Sequence, residues 1–186
     1  MIRLIGIICF SVLLTACSST STESKVEAVM HNYILAVNTS NVDDLLDIVY
    51  PPLFDVVPKR EIAYDFNGGY YHRWGGRKIK IKKLNKVYGP YTEDGVQYVL
   101  ADFEFQKGRI LFKRKYSSPY IFVSDDDENW YIIPYSLDYR FYHYGFNDLI
   151  SYRFRYHSEG EYTMKDIVPE SVLEQMFNDY IPGSEN

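Results

Sequence analysis

His72-Arg73-Trp74 lies between Gly68-Gly69 and Gly75-Gly76, so a titratable imidazole, a cation and a large aromatic share one glycine-flanked loop. That combination suits contact with a ligand, with Trp74 as the stacking surface; the alternative is a connector whose Trp74 caps a sheet. The glycines lack the spacing and the strand-to-helix setting of a phosphate-binding loop. Asp125-Asp126-Asp127-Glu128-Asn129 gathers the oxygens that a hard cation takes. Trp130, however, stands where an EF-hand loop needs glycine, and Ser136 where it needs a bidentate glutamate. A solvated turn with no metal is the expectation there.

Arg73, Arg77, Lys78, Lys80, Lys82, Lys83 and Lys86, with Lys113, Arg114 and Lys115, form a basic middle in an otherwise acidic chain. Two such strands side by side make a positive stripe, suited to anionic lipid headgroups, acidic glycans or an acidic protein surface. The alternative is a solvated sheet face whose lysines discourage edge pairing. Tyr139, Phe141, Tyr142, Tyr144, Tyr152, Phe154 and Tyr156 form an aromatic hairpin. Its Tyr142, Tyr144 and Tyr152 join Trp74 as candidate ligand-binding residues for sugar rings, although aromatics paired across strands also stabilise a sheet unaided. No His-Glu-x-x-His, Gly-x-Ser-x-Gly or Gly-x-x-x-x-Gly-Lys occurs, which removes the commonest zinc-hydrolase, serine-hydrolase and nucleotide-binding readings.

These residues need elements to position them. Ser24-Lys25-Val26-Glu27 has capping-box spacing, and Val26, Val29, Met30, Tyr33, Ile34 and Val37 follow at the intervals of one helical face, with His31 on the polar side. Asn41 caps a second helix with Asp43 and Asp44 in its first turn, ended by Pro51-Pro52. Pro58 opens a short third helix running to about Phe66. From Lys78 the period drops to two. Val96 to Phe105 reads as a strand after the Glu93-Asp94-Gly95 turn, Arg109 to Tyr116 as its partner, and Tyr120 to Val123 pairs with Trp130 to Ile133. Tyr139 to Tyr144 then pairs with Ile150 to Tyr156, and Pro169 opens a last helix carrying Val172, Leu173, Met176 and Phe177.

Of 186 residues, 46% are hydrophobic, the net charge is -5, and tyrosine is in excess with 19 copies, all consistent with one folded, sheet-rich α+β domain. Cys9 and Cys17 are the two cysteines, both in or beside an apolar leader, so the body after Cys17 has no disulfide, cysteine zinc site or cysteine nucleophile. Arg3 and the apolar stretch Leu4 to Leu14 read as a secretory signal, and no later apolar run approaches the ~20 residues needed to cross a bilayer. Leu14-Thr15-Ala16-Cys17 resembles the lipobox of bacterial lipoproteins. The resemblance implies that residues 1–16 are removed and that Cys17 becomes a lipidated N-terminus. Ser18, standing where aspartate would favour inner-membrane retention, implies the outer membrane, facing the periplasm. Residues 17–23 would then be a lipidated tether, 24–181 the domain and 182–186 a tail.

Helices followed by antiparallel strands, with a late strand opening Asn129-Trp130-Tyr131-Ile132-Ile133, are similar to the NTF2-like superfamily, a curved sheet wrapped around an N-terminal helix. Tyr33, Ala36, Asp44, Leu45 and Leu46 before Tyr50-Pro51 resemble the opening of NTF2-like proteins of bacteria. In NTF2-like isomerases and dehydratases an acid or histidine inside the cone moves a proton, aided by a neutral hydroxyl. That resemblance makes His72, Asp102 and Tyr98 the candidate catalytic set. The other reading places Tyr98, Leu100, Asp102 and Glu104 on the outer face, opposite Val99, Ala101, Phe103 and Phe105. The functional expectation is a membrane-anchored, non-catalytic binding module without a cofactor, whose partner is a small molecule, glycan or envelope protein and not nucleic acid. The alternatives are a proton-transfer enzyme and a periplasmic inhibitor or immunity protein. A homodimer is implied by analogy with NTF2-like cones.

Overall fold

The computed structural model describes residues 21–64, 79–109, 112–134, 153–155 and 161–180. Helix α1 spans Thr22–Thr39. The capping-box spacing places its start at Ser24, but the helix begins earlier. Ser21 is the cap, and its hydroxyl accepts from Ser24 N at 3.3 Å, so Ser24 supplies the amide rather than the capping oxygen. Val26, Met30, Tyr33, Ile34 and Ala36 form the buried stripe, and His31 is exposed. Helix α2, Val42–Ile48, is capped by Asn41 as expected, with Asp44 N 3.3 Å from Asn41 Oδ1. Pro51-Pro52 does not simply end the helical region. Pro52 caps the four-residue helix α3, Leu53–Val56, because proline's fixed φ suits a helix entry as well as an exit. Helix α4 follows at Lys59–Tyr64.

Strands β1 (Ile79–Glu93), β2 (Val96–Arg109), β3 (Phe112–Ser124) and β4 (Tyr131–Ile133) form an open antiparallel sheet in the order β1-β2-β3-β4. The β1–β2 turn places Asp94 at φ 51 and Gly95 at φ 82, the pair of positive values that a tight hairpin with the sheet's own twist requires. β3 is one strand where the sequence suggests two. It pairs with β2 along its whole length, and Ser117-Ser118-Pro119 stays in register opposite Glu104, Phe103 and Asp102. Its end pairs with β4 as expected, Ile121 with Ile133 and Val123 with Tyr131. A separate two-stranded sheet pairs β5 (Arg153–Arg155) with β6 (Glu161–Thr163), a partner the sequence reading does not include. A 3-10 turn, Met164–Asp166, leads to helix α5, Glu170–Tyr180. The chain is therefore α+β, with no described helix long and apolar enough to cross a membrane.

One layer of the core lies between α1 and one face of the sheet, the inner face. Alternation puts Val99, Ala101, Phe103 and Phe105 of β2 there, beside Phe122 and Tyr120 of β3. Phe103 packs 6.1 Å from both Phe105 and Phe122, Phe105 stacks on Tyr116 at 5.4 Å, and Tyr33 of α1 meets Tyr120 at 5.8 Å. The outer face is covered over part of its length by α5. Tyr180 meets the ring of Tyr88 edge-on, Tyr91 donates to Asp179 at 2.6 Å, and Ser171 bonds Glu93.

Candidate functional site

β1 is an edge strand whose apolar residues fall at Ile79, Ile81, Leu84 and Val87, at intervals of two, three and three. A regular strand cannot keep all four on one face. The strand slips register between Ile81 and Lys83 and again between Leu84 and Lys86. Each bulge sets two residues of β1 opposite one of β2 and so restores the apolar residues to the inner face. Its consequence on the outer side is crowding of charge. Lys82 and Lys83 stand against Glu104, and Asn85 and Lys86 against Asp102.

β3 completes the surface. Lys115 lies opposite Gln106 and Lys113 opposite Gly108, on the same outer face by parity. Lys80, Lys82, Lys83, Lys86, Lys113 and Lys115 are all exposed and border two carboxylates, Asp102 and Glu104. Lys115 Nζ sits 3.0 Å from Glu104 Oε1. This hydrogen bond, aided by the charges of Lys115, Lys83 and Lys82, holds the Glu104 carboxyl below its usual range. Asn85 Nδ2 donates at 3.0 Å to both Asp102 Oδ2 and Ser117 Oγ, tying the three strands together. Lys86 Nζ rests 4.6 Å above the ring of Tyr88. Sequence reasoning found the lysines but missed Asn85 and Ser117; the broken apolar spacing of β1 was the available signal.

Tyr98 and Asp102 do share the outer face, but they belong to different surroundings. Tyr98 lies between Tyr91 and Val123, only 5% exposed, beside the stretch of β1 on which α5 packs. Its phenol is pushed up to about 12, first by burial and then by the charges of Tyr50, Glu93 and Asp94, and therefore stays protonated. Asp102 is partly open and lies among the lysines. Four residues of strand separate the two by roughly 13 Å, beyond the reach of a shared proton, so the fold does not bring Tyr98 and Asp102 to one reacting atom. His72, Trp74, Tyr142, Tyr144, Tyr152 and Cys17 lie outside the described residues.

The acidic turn is a built local structure. Asp126 Oδ1 accepts from Glu128 N at 2.9 Å and Asn129 N at 2.7 Å, and Oδ2 from Asn129 Nδ2 at 2.6 Å. Those bonds lower the Asp126 carboxyl to about 2 and direct both of its oxygens to the turn's own backbone and side chain. Among the described residues no group of three or more His, Cys, Asp or Glu side chains is arranged to hold a metal. Fold and surface together define an α+β protein with an open antiparallel sheet and a lysine-rich outer face. No family model, curated protein or solved structure matches the chain.

Proposed function

We propose that this protein is an exported lipoprotein, anchored through acylated Cys17 to the periplasmic side of the outer membrane, whose body is a non-catalytic binding module of NTF2-like type. The observation that carries the binding reading is the packing between α1 and the sheet. Tyr33, Phe103, Phe105, Tyr120 and Phe122 occupy the inner face at 0–8% exposure, where a cone enzyme would place its acid, base and substrate. Aromatic rings in mutual contact at 5.8–6.1 Å are a core, not a pocket lining. The two carboxylates of β2, Asp102 and Glu104, are on the outer face, where water competes for their protons and charge.

An NTF2-like cone is supported by the order of the elements, by α1 lying along the inner face, and by bulges that bend β1. Anchoring is supported by the lipobox and by the position of the Ser21 cap of α1, four residues after Cys17. Two or three acyl chains on one residue hold a protein on a bilayer, at about 0.8 kcal/mol per buried methylene. Fractionation of cells producing the full chain tests the proposal. The wild type is expected in the membrane with acyl mass on Cys17, and Cys17→Ser in the soluble fraction or unprocessed. Wild-type protein without acyl mass overturns it.

A further inference from the structure

We infer that the lysine-rich half of the outer face binds an acidic polysaccharide, and that the domain presents this face away from the bilayer that anchors it. The inference rests on the acylation of Cys17 proposed above. Its first ground is the direction of α1. At the helix start, Lys25 pairs with the carboxylate of Asp127 at 3.7 Å and donates to that residue's carbonyl, at the acidic turn. At the helix end, Asn38 clasps Ile79, accepting from its N–H at 2.8 Å and donating to its carbonyl at 2.7 Å. Ile79 is the first residue of the basic strand. The 18 residues of α1 therefore set the point where the tether arrives about 27 Å from the far end of the lysine surface.

The tether is short. From Cys17 to Ser21 the chain spans at most about 14 Å. To lie on the same bilayer, the outer face would have to turn downward with α5 beneath it at the tethered end, and a helix is about 10–12 Å thick. The sheet and α1 would then stand above α5, and the tether cannot cross all three layers. Charge opposes that pose as well. Glu93, Asp94, Glu170, Glu174 and Asp179 lie on or beside α5's half of the face, and anionic headgroups repel them.

The chemistry of the surface selects the partner. Its six cations among the described residues are lysines, compact charges that hold water strongly and do not demand the paired geometry that arginine supplies. Among the described residues the only exposed large hydrophobic side chain is Leu35, on α1, so the described part of the patch has no apolar centre of the kind a protein partner buries. Export removes nucleic acid. Lys80, Lys83 and Lys86 form one row and Lys113 and Lys115 a second, two strand spacings or about 10 Å away. Two rows of exposed ammonium groups, with Lys115 paired to Glu104 between them, fit an extended, hydrated chain carrying repeated carboxylates or sulfates.

The test uses the full acylated protein in phosphatidylcholine vesicles with fluorescent heparin as the probe. Wild-type vesicles are expected to capture heparin, with affinity falling steeply from about 50 to 200 mM salt. Lys80→Gln/Lys83→Gln/Lys86→Gln is expected to weaken capture about tenfold or more, and Lys59→Gln, on α4, to leave it unchanged. Dyes on Lys113→Cys and Glu128→Cys, read against a lipid-borne quencher, are expected to be quenched at 128 and not at 113, in phosphatidylcholine and in phosphatidylglycerol vesicles. Failure to capture heparin, or equal capture by the triple variant, overturns the polysaccharide site and leaves the anchoring proposal standing. Quenching at 113 overturns the orientation and makes the surface a lipid contact. Absence of acyl mass fails the underlying proposal, separately visible because heparin capture by the unacylated chain is measured alongside.

Discussion

The outer face of β2 carries two halves built from the same strand, the same alternation and the same neighbours on either side. Tyr98 and Leu100, at 5% and 0% exposure, are as buried as the core, while Asp102 and Glu104, the next two outward positions, remain partly open. The covered half lies beside the site where α5 docks. Its stripe of Val172, Leu173, Met176 and Tyr180 is buried, and it packs on β1 at Tyr88 and Tyr91, whose partners on β2 are Leu100 and Tyr98. Beyond Leu100 the outward residues change to Asp102, Glu104, Lys86 and Lys83, and the covering stops. A single sheet face thus acts as core over one half and as a water-facing charged surface over the other.

The largest way to sharpen that comparison is Leu100→Ala, which removes a fully buried side chain from the covered half and should cost about 2–5 kcal/mol in a denaturant melt. A cost near zero would mean that this half is not a packed part of the core. The second test is alkaline. A folded-state phenol raised to about 12 from 10.0 contributes stability that is fully present below pH 10 and is lost as pH climbs toward 12. Tyr98→Phe should therefore flatten the fall of stability over that interval, with little change at neutral pH. The smallest effect belongs to the open half: Lys83→Gln should stay within about 0.5 kcal/mol of wild type. A larger loss would show the lysine surface to be part of the folding energetics rather than a surface held for a partner.

Local rules made the main elements legible in the sequence. The apolar stripe of α1, the Asn41 cap, the Asp94-Gly95 turn, the alternation of β2 and the stripe of α5 each depend on residues within a few positions, where backbone geometry and side-chain spacing act directly. The uneven spacing of Ile79, Ile81, Leu84 and Val87 even carried the bulges that crowd lysines outward. Local signals also misled where two outcomes share one signature. Pro51-Pro52 serves helix exit and helix entry alike, and Ser24 fits a capping box although Ser21 holds the cap. What no local pattern contained was the fate of the outer face. Tyr98 and Asp102 sit at equivalent positions of one strand, yet one is buried and protonated and the other lies partly open among lysines, and the segments that pack beside Tyr98, α5 on β1 among them, are distant in sequence. Burial depends on contacts between segments distant in sequence, so the division of that face into core and candidate binding surface was decided by the tertiary structure alone.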